Sequence, residues 1–468
     1  MIHVNFKKIK APKVFDLFAI IICLGFTIGA VLININRFWQ YESGYYDFGI
    51  FDQAIWKIAH FKLPIIDHFL VPGKISLADH FHPTLYLFAP IYWFTNRSEA
   101  LFILQDILVG LSGFVLYSIG FKKLRSRFIS LCIILTYFLF AGLQNAVHFD
   151  FHELTVMTFF LALEYRTIIT GQKKLFILLF ILILGLKETL FLLGISISVF
   201  IFFYRKEWRK IAVFLFFLSI GWGIITIKFL IPYLSGGIYV YSPKAIEGLN
   251  NLFIRLTTPS IKLKTIFMTF LSFGFLPVLT PSLWLIYIFN FGSRFLMEGS
   301  VRWDLGLQYS AEIAPTLAFS SILALGYIKR LNARIAYGWA VGILLISIFL
   351  FRFVLHPPML LAVHPVFYQH TKDFAFLDKL IIQIPKNASV VTQNNLASRF
   401  LHQTVWILRE NYRRHKADYI ILDLRPKQNP NNFLGIKNVQ RLFKDILNNK
   451  DYMMIYRTDY QYIFKRIK

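Results

Sequence analysis

KLFILLFILILGLKETLFLLGISISVFIFFY, residues 174–204, is the stretch on which the fold turns. It is apolar along its whole length except for Lys174 at its start and Lys187-Glu188 near its middle. A helix crossing a bilayer needs about 20 mostly apolar residues, so a single helix of this length overshoots. Two ions at its centre would also be costly in hydrocarbon. The stretch therefore reads as two short helices meeting at a polar tip, and such a tip has a purpose only inside a membrane protein.

Working outward, runs of the same kind recur at roughly 15–35, 98–119, 128–147, 154–170, 210–232, 264–280, 308–328 and 335–354, with a shorter one at 281–291. The total is about eleven spans. Composition agrees: of 468 residues 56% are apolar and 16% charged, with a mean hydropathy of +0.56. A soluble domain carries about 25% charged residues, so a soluble protein is excluded. The 51 Phe, 23 Tyr and 9 Trp exclude a disordered chain.

The net charge of +25 would suggest nucleic acid if the cations formed one stripe, but they lie in short clusters between apolar runs. Lys7, Lys8, Lys10 and Lys13 precede the first run. Lys122, Lys123, Arg125 and Arg127 follow the second, and Arg166, Lys173 and Lys174 the fourth. Arg205, Lys206, Arg209 and Lys210 follow the sixth, and Lys329, Arg330 and Arg334 the tenth. With alternating spans all five clusters fall on one side, the cytoplasmic one, which predicts a cytoplasmic N-terminus and a retained first anchor. The acids and histidines then fall on the outer face: a large first loop over 36–97, the segment 148–153, the Lys187-Glu188 tip, 233–263, 292–307 and everything after 355. Cys23 and Cys132 each sit in an apolar run, so neither a disulfide framework nor a thiolate metal cluster is available.

After Pro357-Pro358 the pattern changes to alternation, as in Ser389-Val390-Val391-Thr392 and Ala417-Asp418-Tyr419-Ile420-Ile421-Leu422-Asp423. Helical patterns near 368–383 and 436–448 lie between such strands, and Tyr452–Lys465 reads as a hairpin. The predicted fold class is thus an all-α polytopic membrane domain over 1–357, followed by a small extracytoplasmic α/β domain over 358–468.

Five constellations on the predicted outer face carry candidate chemistry. In the first loop Asp52, Ile55 and Trp56 fall at helical spacing with Asp47 just ahead; a carboxylate partly desolvated by aromatics takes a proton from a hydroxyl or holds a cation. The structural alternative is that Asp47 caps an interfacial helix anchored by Trp56. In Asp79-His80-Phe81-His82-Pro83 the two histidines offer metal nitrogens and Asp79 an oxygen, or they simply precede a helix opened by Pro83. In His148-Phe149-Asp150-Phe151-His152-Glu153 an extended backbone would put His148, Asp150 and His152 on one side, as ligands for a divalent ion or a sugar; a solvated turn is the alternative. Lys187 is placed to reach a lipid phosphate with Glu188 beside it, or the two form an internal ion pair. Arg294, Glu298, Arg302 and Asp304 form a second charged group, whose arginines can grip a diphosphate or meet headgroups. No Walker loop, dinucleotide fingerprint, nucleophile elbow or zinc-protease helix occurs.

Taken together, Tyr46-Asp47-Phe48-Gly49-Ile50-Phe51-Asp52-Gln53-Ala54-Ile55-Trp56, His80-Phe81-His82-Pro83 with Ala89-Pro90, Phe151-His152-Glu153 and Lys187-Glu188 resemble a bacterial and archaeal family of multi-pass membrane proteins, DUF2079-like, grouped with the GT-C glycosyltransferases. Ala388-Ser389-Val390-Val391-Thr392-Gln393-Asn394 and Ala417–Asp423 fit it too. The resemblance implies a GT-C-like arrangement in the plasma membrane of a prokaryote. It implies an enzyme that moves a sugar from a polyprenyl-phosphate carrier to a lipid, glycan or protein acceptor on the outer face, with membrane lipids around it and no nucleic acid. By that analogy Asp47 is the general base or a positioning carboxylate, and Lys187 with the outer-loop arginines holds the carrier phosphate. Asp52, His80 and His82 line the same cavity, and His152, Glu153, Glu188 and Tyr309 join the binding set. One departure stands out: Gln308-Tyr309 occupies the place of an expected His-Tyr pair. A divalent metal is a candidate cofactor, with Asp47, His80, His148, Asp150 and His152 as candidate ligands. Two other functions fit the same chain: a lipid-linked sugar flippase or other transporter, which would show paired broken helices in both halves, and a non-catalytic envelope scaffold.

Overall fold

The computed structural model describes residues 14–68, 70–237, 239–242, 248–426 and 434–467. The first basic cluster, Lys7 to Lys13, lies outside them. The fold is mostly helical, as a bilayer requires of a chain that must satisfy its own backbone.

Five helical stretches among the described residues are long and apolar enough to cross a membrane: Val14–Trp39, Glu99–Leu124, Lys206–Ser235, Gln308–Leu331 and Ala333–Leu355. A sixth crossing follows if Arg127–Leu139 and Ala141–Phe149, bent by 50°, act as one broken span. The other apolar runs are helical but short: Glu153–Thr170, Lys173–Leu184, Phe191–Tyr204, Ile261–Leu271 and Trp284–Leu296. Runs that read as continuous in the sequence are interrupted for local reasons. Phe140 leaves the helical region at φ −63°, ψ 117° and breaks the run 128–147. Gly274 and Phe275 adopt left-handed φ values of 53° and 57° just before Pro277 and end the run 264–280. Residues 174–204 form two helices that meet at Lys187-Glu188.

The basic loops are closed by their own side chains. Ser126 accepts from the Ile129 N–H and Asn332 from Arg334 and Ile335, so each caps the helix that follows. Lys329 donates to the Leu124 carbonyl at the end of a neighbouring helix. The first helix exposes Leu17, Ile21, Leu24 and Ile28 along one stripe and buries Ala19, Cys23, Phe26, Ala30 and Ile33. An apolar stripe left uncovered at helical spacing is what a lipid-facing helix shows.

The first large loop, over 36–97, is built rather than open. A single wide turn, Tyr45–Gly49, leads into the helix Ile50–Ala59, a short antiparallel hairpin follows (β1, Ile65–Asp67; β2, Pro72–Ile75), and a 3₁₀ stretch, Pro83–Trp93, runs to the next membrane helix. The C-terminal part carries one five-stranded sheet of β3 (Val390–Thr392), β4 (Val405–Ile407), β5 (Tyr419–Asp423), β6 (Tyr452–Arg457) and β7 (Gln461–Arg466), in the order β4-β3-β5-β7-β6. The β4-β3-β5 half is parallel and the β5-β7-β6 half antiparallel. Alternation along the strands splits the sheet's two faces. Val390, Ile421 and Ile463 join the core shared with the membrane helices and first loop, whereas Val391, Ile420, Leu422 and Phe464 pack with Val439, Leu442 and Ile446 of the helix Ile436–Leu447. The sheet is therefore bound to the membrane part by a continuous core.

Candidate functional site

The segment β3 to β4 grips the first loop. The Tyr46 N–H donates to Asn394 Oδ1 at 2.8 Å, and Gly44 lies so close that a Cβ there would sit 2.4 Å from Asn394 Nδ2. Gln53 Nε2 donates to the carbonyls of Leu401 and Gln403, both at 3.2 Å, and Tyr45 OH donates to Gln53 Oε1 at 2.6 Å. Asp67 accepts from the Ile407 N–H at 2.7 Å and from Arg409 Nη1 at 2.8 Å. Asp52, fully buried, accepts from Tyr92 OH and from Ser98 Oγ at 3.1 Å, and pairs with His402 Nε2 at 2.9 Å. Asp52 thus sits at a joint between loop and sheet and does not line the cavity described next.

That cavity, about 1010 Å³, opens beside the turn Tyr45–Gly49. Asp47 lines it. No side-chain bond caps the helix Ile50–Ala59, so Asp47 is not its cap, and the carboxylate makes no hydrogen bond or ion pair among the described residues. Burial pushes this carboxyl above the usual carboxylate range; the His152 imidazole opposes the shift while Glu153 and Asp79 add to it.

His80, His152, Lys187, Arg294, Arg302 and Tyr309 line the same cavity, and Glu153 and Glu188 stand directly behind it. The two ions of the polar tip do not pair with each other. Lys187 Nζ donates to Glu153 Oε1 at 2.5 Å, while Glu153 Oε2 faces His152 Nδ1 at 2.7 Å. Glu188 accepts from the Phe81 N–H at 3.0 Å, from Tyr239 OH at 2.8 Å, and pairs with His80 Nδ1 at 2.9 Å. Burial and the Lys187 ammonium push the His80 imidazole down, but the Glu188 and Asp79 carboxylates outweigh them and hold it above its ordinary value. Arg294 is buried and its guanidinium is occupied: Nε donates to the Arg302 carbonyl at 2.9 Å, Nη1 to Asn290 and Ser310, Nη2 to the Asp304 carbonyl. Arg302 stands differently. Its guanidinium lies 5.6 Å from the Tyr309 ring and makes no hydrogen bond or ion pair among the described residues.

His82 does not line the cavity. Its Nε2 meets Ser76 Oγ at 3.2 Å, and burial lowers the imidazole to about 4, so it is neutral near pH 7. The extended run expected for His148, Asp150 and His152 is not formed. His148 lies in the last turn of the helix Ala141–Phe149, bonded through Nδ1 to Asn34 Oδ1 at 3.1 Å, and Asp150 is buried with one oxygen unpartnered. Helical geometry turns His148 away from His152, and of the three only His152 reaches the cavity. Among the described residues no group of three or more His, Cys, Asp or Glu side chains is arranged to hold a metal ion. The candidate ligand set of Asp47, His80, His148, Asp150 and His152 is therefore not assembled.

Asp79, weighed in the sequence only as a metal oxygen, accepts from Tyr241 OH at 2.5 Å and faces His68 Nε2 at 3.5 Å. His68 and Glu312 had no local signal at all; Glu312 accepts from Asn290 Nδ2 at 3.0 Å. Most of the remaining wall is apolar, with Ile227, Leu263, Ile266, Val278 and Ile288 contributed by or adjoining the helices Lys206–Ser235, Ile261–Leu271 and Trp284–Leu296. A cavity with a charged head and an apolar trough between hydrophobic helices accommodates an amphiphile with a polar end.

Fold and site together define a polytopic helical membrane protein whose first large loop and membrane helices share one amphipathic cavity. Sequence comparison then places the chain in a family: residues 37–461 match the one described as "Predicted membrane protein (DUF2079)", and the protein belongs to it. No curated protein matches the chain in sequence. Among solved structures it is similar to ArnT from Cupriavidus metallidurans bound to undecaprenyl phosphate, at 10% identity and a TM-score of 0.49 over 95% of this chain and 97% of that one. The apo structure of the same protein gives 9% identity and a TM-score of 0.46, over 94% and 98%.

Proposed function

We propose that the protein is a membrane glycosyltransferase that moves a sugar from a polyprenyl-phosphate donor to a lipid, glycan or protein acceptor on the outer face of a prokaryotic plasma membrane. The observation that carries this reading is the joining, in one cavity, of an apolar trough with the Asp47 carboxylate and the Arg302 guanidinium, neither of which makes a hydrogen bond or ion pair among the described residues. The prenyl chain lies in the trough and the phosphate meets Arg302, with Tyr309 beside it, Arg294 bracing the loop and Lys187 adding positive charge. The acceptor hydroxyl oxygen attacks the anomeric carbon as its proton passes to Asp47. The bond from that carbon to the phosphate oxygen breaks, its electron pair leaving with the polyprenyl phosphate, whose negative charge Arg302 stabilises. Asp47 needs to be unpartnered for this role, because a carboxylate already holding a cation is a weaker base. Asp52 and His82, away from the cavity, hold the first loop in place.

The same reading takes the chain as crossing the bilayer about eleven times, with the short helices filling in for full spans, the N-terminus cytoplasmic, and residues 358–468 an extracytoplasmic domain. The test uses purified protein in liposomes with labelled polyprenyl-phosphate sugar and an envelope lipid extract. Label should move to an acceptor with wild type and not with Asp47→Asn. Movement of label across the bilayer without transfer would make the protein a transporter instead.

A further inference from the structure

Three side chains of the cavity leave acceptor atoms unfilled among the described residues. Asp47 presents two carboxylate oxygens without a partner among the described residues. Gln308, buried and lining the same cavity, leaves its Oε1 with no partner. Asp79 receives Tyr241 OH on Oδ1, while Oδ2 faces only His68 at 3.5 Å, too far for a good bond. Lys187 gives one of its three N–H donors to Glu153, and Arg294 is held by two backbone carbonyls, Asn290 and Ser310. Arg302 makes no hydrogen bond or ion pair among the described residues, so its guanidinium is open to the phosphate.

Buried acceptors without donors are unfavourable, so the ligand that fills this space must supply hydrogens. A sugar ring does so with each hydroxyl, and the aromatic pairs Tyr46–His68 and His80–Tyr241, stacked at 5.1 Å and 4.3 Å, place flat rings on the same wall. We propose that the sugar carried on the lipid phosphate is neutral and rich in hydroxyls, and that Asp47 and Asp79 exclude sugars bearing a carboxylate. A uronic acid would replace a donor by an anion and set it against Asp47 and Asp79 in a poorly solvated space, where like charges repel strongly. This inference rests on reading the cavity as a polyprenyl-phosphate sugar site.

Binding to the detergent-solubilised full chain tests it, using polyprenyl phosphate, polyprenyl-phosphate hexose and polyprenyl-phosphate hexuronate of one chain length. The hexose form should bind at least tenfold more tightly than the hexuronate. Asp79→Asn should narrow that ratio severalfold and Gln308→Glu should widen it, each affinity being taken relative to the same variant's affinity for bare polyprenyl phosphate. Should Asp79→Asn fail to fold, Gln308→Glu carries the test. Equal affinities for hexose and hexuronate, with bare polyprenyl phosphate still bound, would overturn the inference and leave the proposed function standing. No binding of bare polyprenyl phosphate would overturn both.

Discussion

Gly44→Ala is the sharpest probe of how the sheet holds Asp47. Gly44 has an extended backbone, φ −93° and ψ 162°, which alanine adopts without strain, so any effect comes from the added methyl. That methyl would lie 2.4, 3.0 and 3.2 Å from Nδ2, Cγ and Oδ1 of Asn394, three atoms of one amide that can only move together. Moving the amide breaks the bond from the Tyr46 N–H to Oδ1, at 2.8 Å, worth about 0.5–1.5 kcal/mol. Overpacking adds about 1–3 kcal/mol, for a total of about 2–4 kcal/mol. At about 2 °C per kcal/mol for a chain longer than 150 residues, thermal unfolding in detergent should shift down by about 4–8 °C. Adding Asn394→Ala removes the obstruction and leaves the loss of the Asn394 side chain's own contacts, of which the bond to Tyr46 is about 1 kcal/mol, so the double variant should melt higher than Gly44→Ala alone. Additive losses in the double variant would refute the contact. Transfer activity should follow the same order, since Tyr46 precedes Asp47.

The raised Asp47 carboxyl makes two further outcomes testable. Because the base must be ionised, transfer should fall on acidification at a pH above the ordinary carboxylate value of about 4, and Asp47→Asn should abolish the rate at every pH, which a pH–rate profile reads. A carboxyl whose folded value exceeds its unfolded value stabilises the fold most below the unfolded value and loses that contribution as pH rises through the folded one, so Asp47→Asn should raise the melting temperature at neutral pH. Removing His402 leaves Asp52 buried with two hydroxyl donors and no imidazole, so His402→Ala should cost about 1–3 kcal/mol in thermal unfolding, and an unchanged melting temperature would mean the joint is not made. For sidedness, Cys23 and Cys132 are buried, so a cysteine introduced at exposed Lys450 should react with an impermeant maleimide on intact cells; reaction only after permeabilisation would reverse the topology.

Long apolar runs, the basic loops between them and the alternation after Pro357 were legible along the chain, because burial in lipid and pleating impose periods that composition reports directly. The tip at Lys187-Glu188 was legible for the same reason, since two ions in an apolar stretch have no other place to go. The breaks at Phe140 and Gly274-Phe275 were not, because each depends on a single residue's backbone state. Three-residue strands such as β4 are too short to show a period.

The sequence by itself determined that this chain enters a membrane and where its ionisable residues gather, since hydrophobicity and charge act locally and leave a pattern every few residues. It also brought Asp47, Lys187 and Arg302 forward as individuals. Only the tertiary structure decided their partners: Lys187 with Glu153 rather than Glu188, Asp52 with His402, Asp79 with Tyr241, and Asp47 and Arg302 with no hydrogen bond or ion pair among the described residues. A hydrogen bond is specified by two atoms meeting within about 3 Å, and for residues separated by tens to hundreds of positions that meeting is a property of the packed core.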